Sequence, residues 1–321
     1  MFRRTSIALV AGLTFAAGAF AQQPWPSQPI KIVVGYPAGG ASDVAARLVA
    51  QKMAERMGKA IVVENKPGAA GNIGAEAVTK AAPDGYTLLL GTISLSVNPS
   101  LYPKLGYDPV KDLAPISLIA STPFLLVANP NSPYRIAKDL LDAAKNPPAP
   151  IHYATAGNGS GSHLFTELLA SSAGIKLTHV PYRGAAPAMN DVLGNQVPIT
   201  FDNIVTTLPL VKAGKLRALA VSTKKRSKVA PDIPTLAESG VPSFDATAWF
   251  GLFAPAGTPR DIIQRLNREV AEALKDPAVG DKFLQVGAEP VSSTPEQLDA
   301  FFRGEVAKWE KVVKQAKITI D

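Results

Sequence analysis

Apolar residues along the chain follow two rhythms. Short runs such as Ile30-Lys31-Ile32-Val33-Val34, Ala60-Ile61-Val62-Val63 and Tyr86-Thr87-Leu88-Leu89-Leu90 have the length and content of buried strands. After the first of them Val44, Leu48, Val49, Met53 and Met57 recur at helical spacing. The alternation repeats: 136–145 reads as helix, 151–154 as strand, 164–173 as helix, 177–180 as strand and 185–193 as helix. Strands follow at 197–201 and 216–221, a short helix at 231–239, and helices over Ile262 to Leu274 and Phe301 to Lys314. Residues 98–115 hold several Pro and Gly and read as irregular. Strand and helix in alternation predict an α/β fold built on mainly parallel sheets flanked by helices.

Two apolar runs do not fit one ordinary strand each. Ile116 to Ala128 is too long and is broken by Pro123, and Ala248 to Ala254 reappears late in the chain. Both read as crossover strands joining two lobes. The expected division is residues 24–123 with 248–321 in the first lobe and 124–247 in the second.

Each lobe then carries a glycine-rich loop between a strand and a helix: Tyr36-Pro37-Ala38-Gly39-Gly40-Ala41-Ser42-Asp43 and Gly157-Asn158-Gly159-Ser160-Gly161-Ser162-His163. Glycine lets backbone N–H groups approach a ligand, and a helix N-terminus leaves its N–H groups unpaired with partial positive charge. Such a loop holds an anion without a basic side chain; a plain turn with Ser42 or Asp43 as helix cap is the competing account. Strand ends deliver Thr92, Tyr182 and Asp202 toward the same cleft. On the late crossover strand Trp249 and Phe250 alternate, one toward the cleft floor and one toward the core.

The first 21 residues are of another kind. Arg3 and Arg4 precede an apolar stretch from Ile7 to Phe20 that ends in Ala19-Phe20-Ala21. This is the form of a secretory signal peptide cleaved near Ala21-Gln22, and the stretch is too short to anchor in a membrane. The expectation is an exported, soluble, monomeric protein. The chain has no cysteine, so neither disulfides nor lipid attachment through cysteine arises. Hydrophobic residues at 46% and charged ones at 18% place it among ordinary globular proteins. The net charge of +7 falls to about +5 without Arg3 and Arg4, a mild bias that favours anions. The one dense basic run, Lys224-Lys225-Arg226-Ser227-Lys228, lacks interleaved aromatics, which argues against nucleic acid.

Catalytic motifs fail at identifiable positions. Gly35 to Ser42 has phosphate-loop spacing, but Ala41 stands where lysine is needed. Ser162 replaces the last glycine of a dinucleotide fingerprint, and Asn158 and Ser162 flank Ser160 where a nucleophile elbow has glycines. A serine hydrolase would need Ser160, His163 and Asp202 in a nonstandard triad. His152, His163 and His179 lack metal-ligand spacing. No cofactor, metal site or enzymatic activity is expected.

Several phrases in fixed order carry a family resemblance. They are Tyr36-Pro37-Ala38-Gly39-Gly40 with Asp43, Glu64-Asn65-Lys66-Pro67-Gly68-Ala69-Ala70-Gly71, and Ala82-Pro83-Asp84-Gly85-Tyr86-Thr87-Leu88. Gly157 to Leu164, Val180-Pro181-Tyr182-Arg183-Gly184, Phe201-Asp202-Asn203, Pro234-Thr235 and Trp249-Phe250-Gly251 follow. Together they resemble the Bug family, the solute-binding receptors of tripartite tricarboxylate transporters. The resemblance implies a two-lobed type II periplasmic binding protein that closes on a small carboxylate and passes it to membrane transporter subunits. A sensing role beside a membrane sensor would use the same cleft. Ala41-Ser42 departs from the Pro-Thr or Pro-Ser common in the family. The expected ligand-binding residues are Tyr36, Ala38, Gly39, Gly40, Asp43, Thr92, Gly157, Gly159, Ser160, His163, Tyr182, Asp202 and Phe250.

Overall fold

A computed structural model describes residues 25–320; the signal-peptide stretch lies outside them. The order of elements is β1 (Ile30–Val34), α1 (Ala41–Met57), β2 (Ile61–Asn65), α2 (Asn72–Thr79), β3 (Thr87–Thr92), α3 (Ile93–Leu101), β4 (Leu113–Thr122) and β5 (Phe124–Ala128). Then come α4 (Ala137–Lys145), β6 (His152–Thr155), α5 (Gly161–Ala173), β7 (Thr178–Pro181), α6 (Ala185–Leu193), β8 (Ile199–Asn203), α7 (Ile204–Lys212) and β9 (Arg217–Val221). The chain finishes with β10 (Ala248–Pro255), α8 (Arg260–Leu274), α9 (Pro277–Gln285), β11 (Glu289–Pro290) and α10 (Pro295–Ala316).

These strands form two sheets, ordered β11-β4-β10-β3-β1-β2 and β7-β6-β8-β5-β9. Both are mixed, where the sequence reading expects mainly parallel ones. β1 pairs in parallel with β2 and β3, and β6 with β7 and β8. Where the chain passes between sheets the pairing turns antiparallel. β4 leads out and β10 leads back beside it, paired from Leu113↔Pro255 to Ala248↔Thr122 with register shifts at Phe250/Gly251 and Leu252/Phe253. Two strands that carry the chain in opposite senses through one junction must lie antiparallel. Pro123 separates β4 from β5, and Ser222 fastens the start of β5, its Oγ accepting from Phe124 N–H at 3.0 Å.

The central strands of the first sheet are buried on both faces. Ile32, Val34, Leu88, Leu90 and Leu252 pack against α1 and α8 through Ala46, Val49, Met53, Leu266 and Val270. The other face carries Val33, Leu89, Trp249 and Phe253 with Phe302 of α10. α10 also reaches the second sheet: Trp309 stacks on Phe165 of α5 with ring centroids 5.8 Å apart. Val97 and Leu101 of α3 join that same cluster with Val312 and Val313. The last helix thus packs into the cores around both sheets.

Local differences from the sequence reading have local causes. α3 forms inside the stretch that reads as irregular, with Pro99 in its last turn, where only one carbonyl bond is lost. Residues 231–239 make a turn, not a helix. Thr235 N–H donates to the Glu238 carboxylate and Glu238 N–H donates to Thr235 Oγ1, closing four residues on themselves before Gly240.

Candidate functional site

The two glycine loops have the same construction. In the first, β1 ends at Val34 and α1 starts at Ala41 with Gly40 as N-cap. In the second, β6 ends at Thr155 and α5 starts at Gly161 with Ser160 as N-cap. The residue before each cap is a glycine in the left-handed region, Gly39 at φ 82° and Gly159 at φ 70°. A side chain there would be strained, which is why glycine holds both positions. Each of these glycine N–H groups donates to the side chain four residues on. Gly39 donates to Asp43 Oδ2 at 2.9 Å, and Gly159 to His163 Nδ1 at 3.2 Å.

Asp43 is the anchor of the first loop. It is buried, and besides Gly39 it accepts from Asn65 Nδ2 at 3.0 Å and Arg47 Nε at 3.0 Å. Asn65 also donates to the Tyr36 carbonyl at 3.0 Å, so the end of β2 pins both ends of the loop. The Arg47 hydrogen bond outweighs burial and, with those from Gly39 and Asn65, lowers the Asp43 carboxyl to about 2. Gly40 supplies no side-chain cap, so the first-turn N–H groups of α1 keep their donors for another acceptor.

Those groups face a cavity of about 620 Å³. Tyr36, Ala38, Gly39 and Gly40 form one wall, Thr92, Ile93 and Ser94 another, and Ala248, Trp249 and Phe250 the floor. The Tyr36 hydroxyl lies 2.8 Å from Ser94 Oγ and 3.1 Å from Thr92 Oγ1. No charged side chain lines the space. Its polar character comes from hydroxyls and backbone, and its apolar character from Ile93, Ala248 and Phe250. Trp249 is turned into the aromatic cluster with Phe253, Phe301 and Phe302.

The second loop does not line this cavity. Its Gly159 packs toward Leu101 of α3 and Ile320, placing it against the first lobe's helix and the chain end. Ser160 Oγ donates to the Gly157 carbonyl at 2.7 Å and caps His163 N–H at 3.4 Å. Tyr182 donates its hydroxyl to Asp191 at 2.5 Å and its N–H to the Thr155 carbonyl at 3.1 Å. Asp202 accepts from Asn203 N–H at 2.7 Å, and burial raises its pKa. The structure therefore gathers Tyr36, Ala38, Gly39, Gly40, Thr92 and Phe250 around one space, with Asp43 behind it. Gly157, Gly159, Ser160 and His163 form the second loop. Arg47, Asn65, Ile93 and Ser94 were not singled out in the sequence. The spacing of Arg47 four residues after Asp43 was the available signal.

A second cavity of about 600 Å³ lies between α4, the end of α5 and the 234–241 turn. Neither glycine loop reaches it, and unlike the first cavity it is lined by charged side chains, Lys138, Asp142, Lys145 and Glu238.

The hydrolase arrangement is not built. The His163 ring is turned onto Gly159 N–H and Ser160 Oγ onto the Gly157 carbonyl, so no base faces that hydroxyl. Among the described residues no cluster of three or more His, Cys, Asp or Glu is placed to hold a metal ion.

Residues 45–318 match the model of the tripartite tricarboxylate transporter family receptor. The chain belongs to this family. It is a solute-binding receptor and not an enzyme. It is 38% identical over 317 residues to Protein BugT of Bordetella pertussis, covering 97% of each chain. A solved structure described as R. palustris Rpa4515 with adipate is 38% identical, with TM-score 0.75 over 92% of this chain and all of that one. A TctC solute-binding protein from Polaromonas, solved with no ligand, is 28% identical. Its TM-score is 0.83 over 91% of this chain and 99% of that one. No helix among the described residues is long and apolar enough to cross a membrane.

Proposed function

We propose that this receptor binds a small organic carboxylate between its two glycine loops and hands it to the membrane subunits of a tripartite transporter. The observation that carries the reading is the uncharged cavity fronted by the uncapped N-terminus of α1. An anion there is held by backbone N–H groups and the helix dipole. Tyr36, Ala38, Gly39, Gly40, Thr92 and Phe250 hold it from the first lobe. The loop from Gly157 to Ser160 closes on it from the second, with Tyr182 and Asp202 behind. Asp43 and His163 shape the two loops. Residues 24–123 with 248–321 act as one lobe and 124–247 as the other, after export to the periplasm and loss of residues 1–21. The adipate bound by the R. palustris relative supports the ligand class.

The lobes stand open in this reading. Only first-lobe and crossover residues line the cavity. The superposition is also better with the ligand-free relative than with the adipate-bound one, despite its lower identity. Closure about the β4–β10 junction completes the site.

Thermal unfolding with mono-, di- and tricarboxylates tests the proposal. An acid at a hundred times its dissociation constant stabilises by about 2.7 kcal/mol. The expected outcome is a rise in midpoint with one acid and none with its amide. Protein refolded to strip carried ligand that responds to no acid would overturn the carboxylate reading.

A further inference from the structure

The two loops share a geometry but not a chemistry. Asp43 holds Gly39 with a carboxylate, an acceptor whatever the pH of ordinary surroundings. His163 holds Gly159 with an imidazole nitrogen, an acceptor only while it lacks a proton. The two histidines of this lobe also sit face to face, His163 on His179, with ring centroids 3.9 Å apart and planes within 13°. His179 Nε2 lies 2.6 Å from Thr155 Oγ1, and that oxygen accepts from Gly157 N–H at 3.2 Å. Each histidine thus holds one glycine of the second loop, His163 directly and His179 through Thr155.

We propose that His163 is a positioning residue that makes the second loop, and not the first, come apart in acid. The proposal rests on the reading that these loops grip the ligand. Its logic is geometric. Neutral His163 carries its hydrogen on Nε2 and accepts from Gly159 at Nδ1. A second proton has nowhere to go but Nδ1, where it meets the Gly159 N–H head on. The bond that sets the loop is lost, and the glycine that precedes the cap of α5 is released. Asp43 undergoes no such reversal, because adding a proton leaves one carboxylate oxygen as acceptor.

The surroundings hold His163 neutral down to low pH. The groups facing the ring are His179 of β7, Tyr153 of β6 at 6.4 Å between centroids, and Glu167 one turn further along α5, bonded to the Tyr153 hydroxyl. Burial lowers His163 to about 4, and the neighbouring His179 adds to the effect. Burial lowers His179 as well. Glu167 is pushed up by burial, so it offers the pair less negative charge. Two stacked imidazolium rings would repel, so at most one of the pair takes a proton at a time.

The test is an NMR titration of the full mature chain from pH 7.5 to 3.5. The His163 ring is expected to titrate near pH 4, with the Gly159 amide resonance moving at the same midpoint and the Gly39 amide still. In His163→Asn, whose side-chain oxygen accepts at every pH, the Gly159 amide is expected to stay flat. A Gly159 amide that ignores the His163 titration, or moves equally in the variant, would overturn the proposal. Calorimetry with adipate at pH 7 and pH 4 gives a second readout. At the midpoint half the protein has lost its loop, so wild-type affinity falls about twofold relative to His163→Asn, in which the ligand's own titration cancels. His163→Ala binds more weakly than His163→Asn. Wild-type affinity that rises relative to His163→Asn on acidification would show an imidazolium touching the ligand and overturn the positioning role. Adipate that binds neither protein bears on the ligand class alone, and the amide titration then decides.

Discussion

At the scale of single residues, the first loop depends on one carboxylate. Asp43 gathers donors from Gly39, Asn65 and Arg47 onto its two oxygens. Its pKa is held at about 2 against an ordinary 3.8. A lowered carboxyl stabilises the fold fully above its unfolded value, and the contribution is lost as pH falls from there through about 2. The linkage amounts to roughly 2 kcal/mol. Asp43→Ala should therefore lower stability at pH 7 by about 2 kcal/mol, the loss of the bonds from Gly39, Asn65 and Arg47 that hold the carboxylate. Urea unfolding at pH 7 and pH 2 checks this. The cost should shrink at the lower pH, and an equal cost at both would point to packing alone. The site was half legible at this scale. Asp43 and His163 stood among the expected site residues, each closing one of the two glycine loops. Their direction was not legible, because sequence cannot tell a side chain turned to a ligand from one turned back onto its own loop.

At the scale of elements, the strand–loop–helix units were legible because burial on both faces leaves unbroken apolar runs such as Leu88-Leu89-Leu90. What stayed hidden was held by tertiary contacts instead of local pattern. α3 carries Ser94, Ser96, Asn98 and Pro99, residues that favour other structure, yet Val97 and Leu101 are buried against α10 and the second core. β11 spans two residues and exists through its pairing with Ser121 and Ala120. The sense of β4, β5 and β10 was equally hidden, since an apolar run does not state its direction. α10 presents a different case. Its helical pattern was clear, but the pattern does not tell which cores it fills. Trp309 is fully buried on Phe165, and its Nε1 donates to Glu305 at 2.9 Å. Trp309→Ala should cost about 3 to 5 kcal/mol by removing a buried aromatic. Because that tryptophan links α10 to α5, the second sheet's core should loosen with it. Hydrogen exchange would then show α5 opening before α1. Loss of protection in α1 alone would mean that α10 serves only the first core.

At the scale of the whole molecule, the contacts between lobes lie unevenly around the junction. β4 and β10 run through it, and beside them Glu289 of β11 accepts from Ser227 Oγ at 2.7 Å and Lys228 N–H at 2.9 Å. Val205 of α7 packs against Gly287 on the same side. These bonds tie the two bodies together beside the β4–β10 junction, so the proposed closure about that junction would move the distant glycine loops most. In the proposed closure, an anion at the α1 N-terminus gains from the rotation. It adds a second set of backbone donors while the cavity loses water, and both effects strengthen the electrostatics. A ligand shifts the open–closed balance only through this difference in affinity. Small-angle scattering with a stabilising carboxylate should therefore show a smaller radius of gyration than the ligand-free protein. Gly159→Val should bind more weakly and close less, because the new side chain is strained at positive φ and meets Leu101. Ligand binding at full strength with an unchanged radius would mean that the first lobe suffices and the second loop takes no part in the grip.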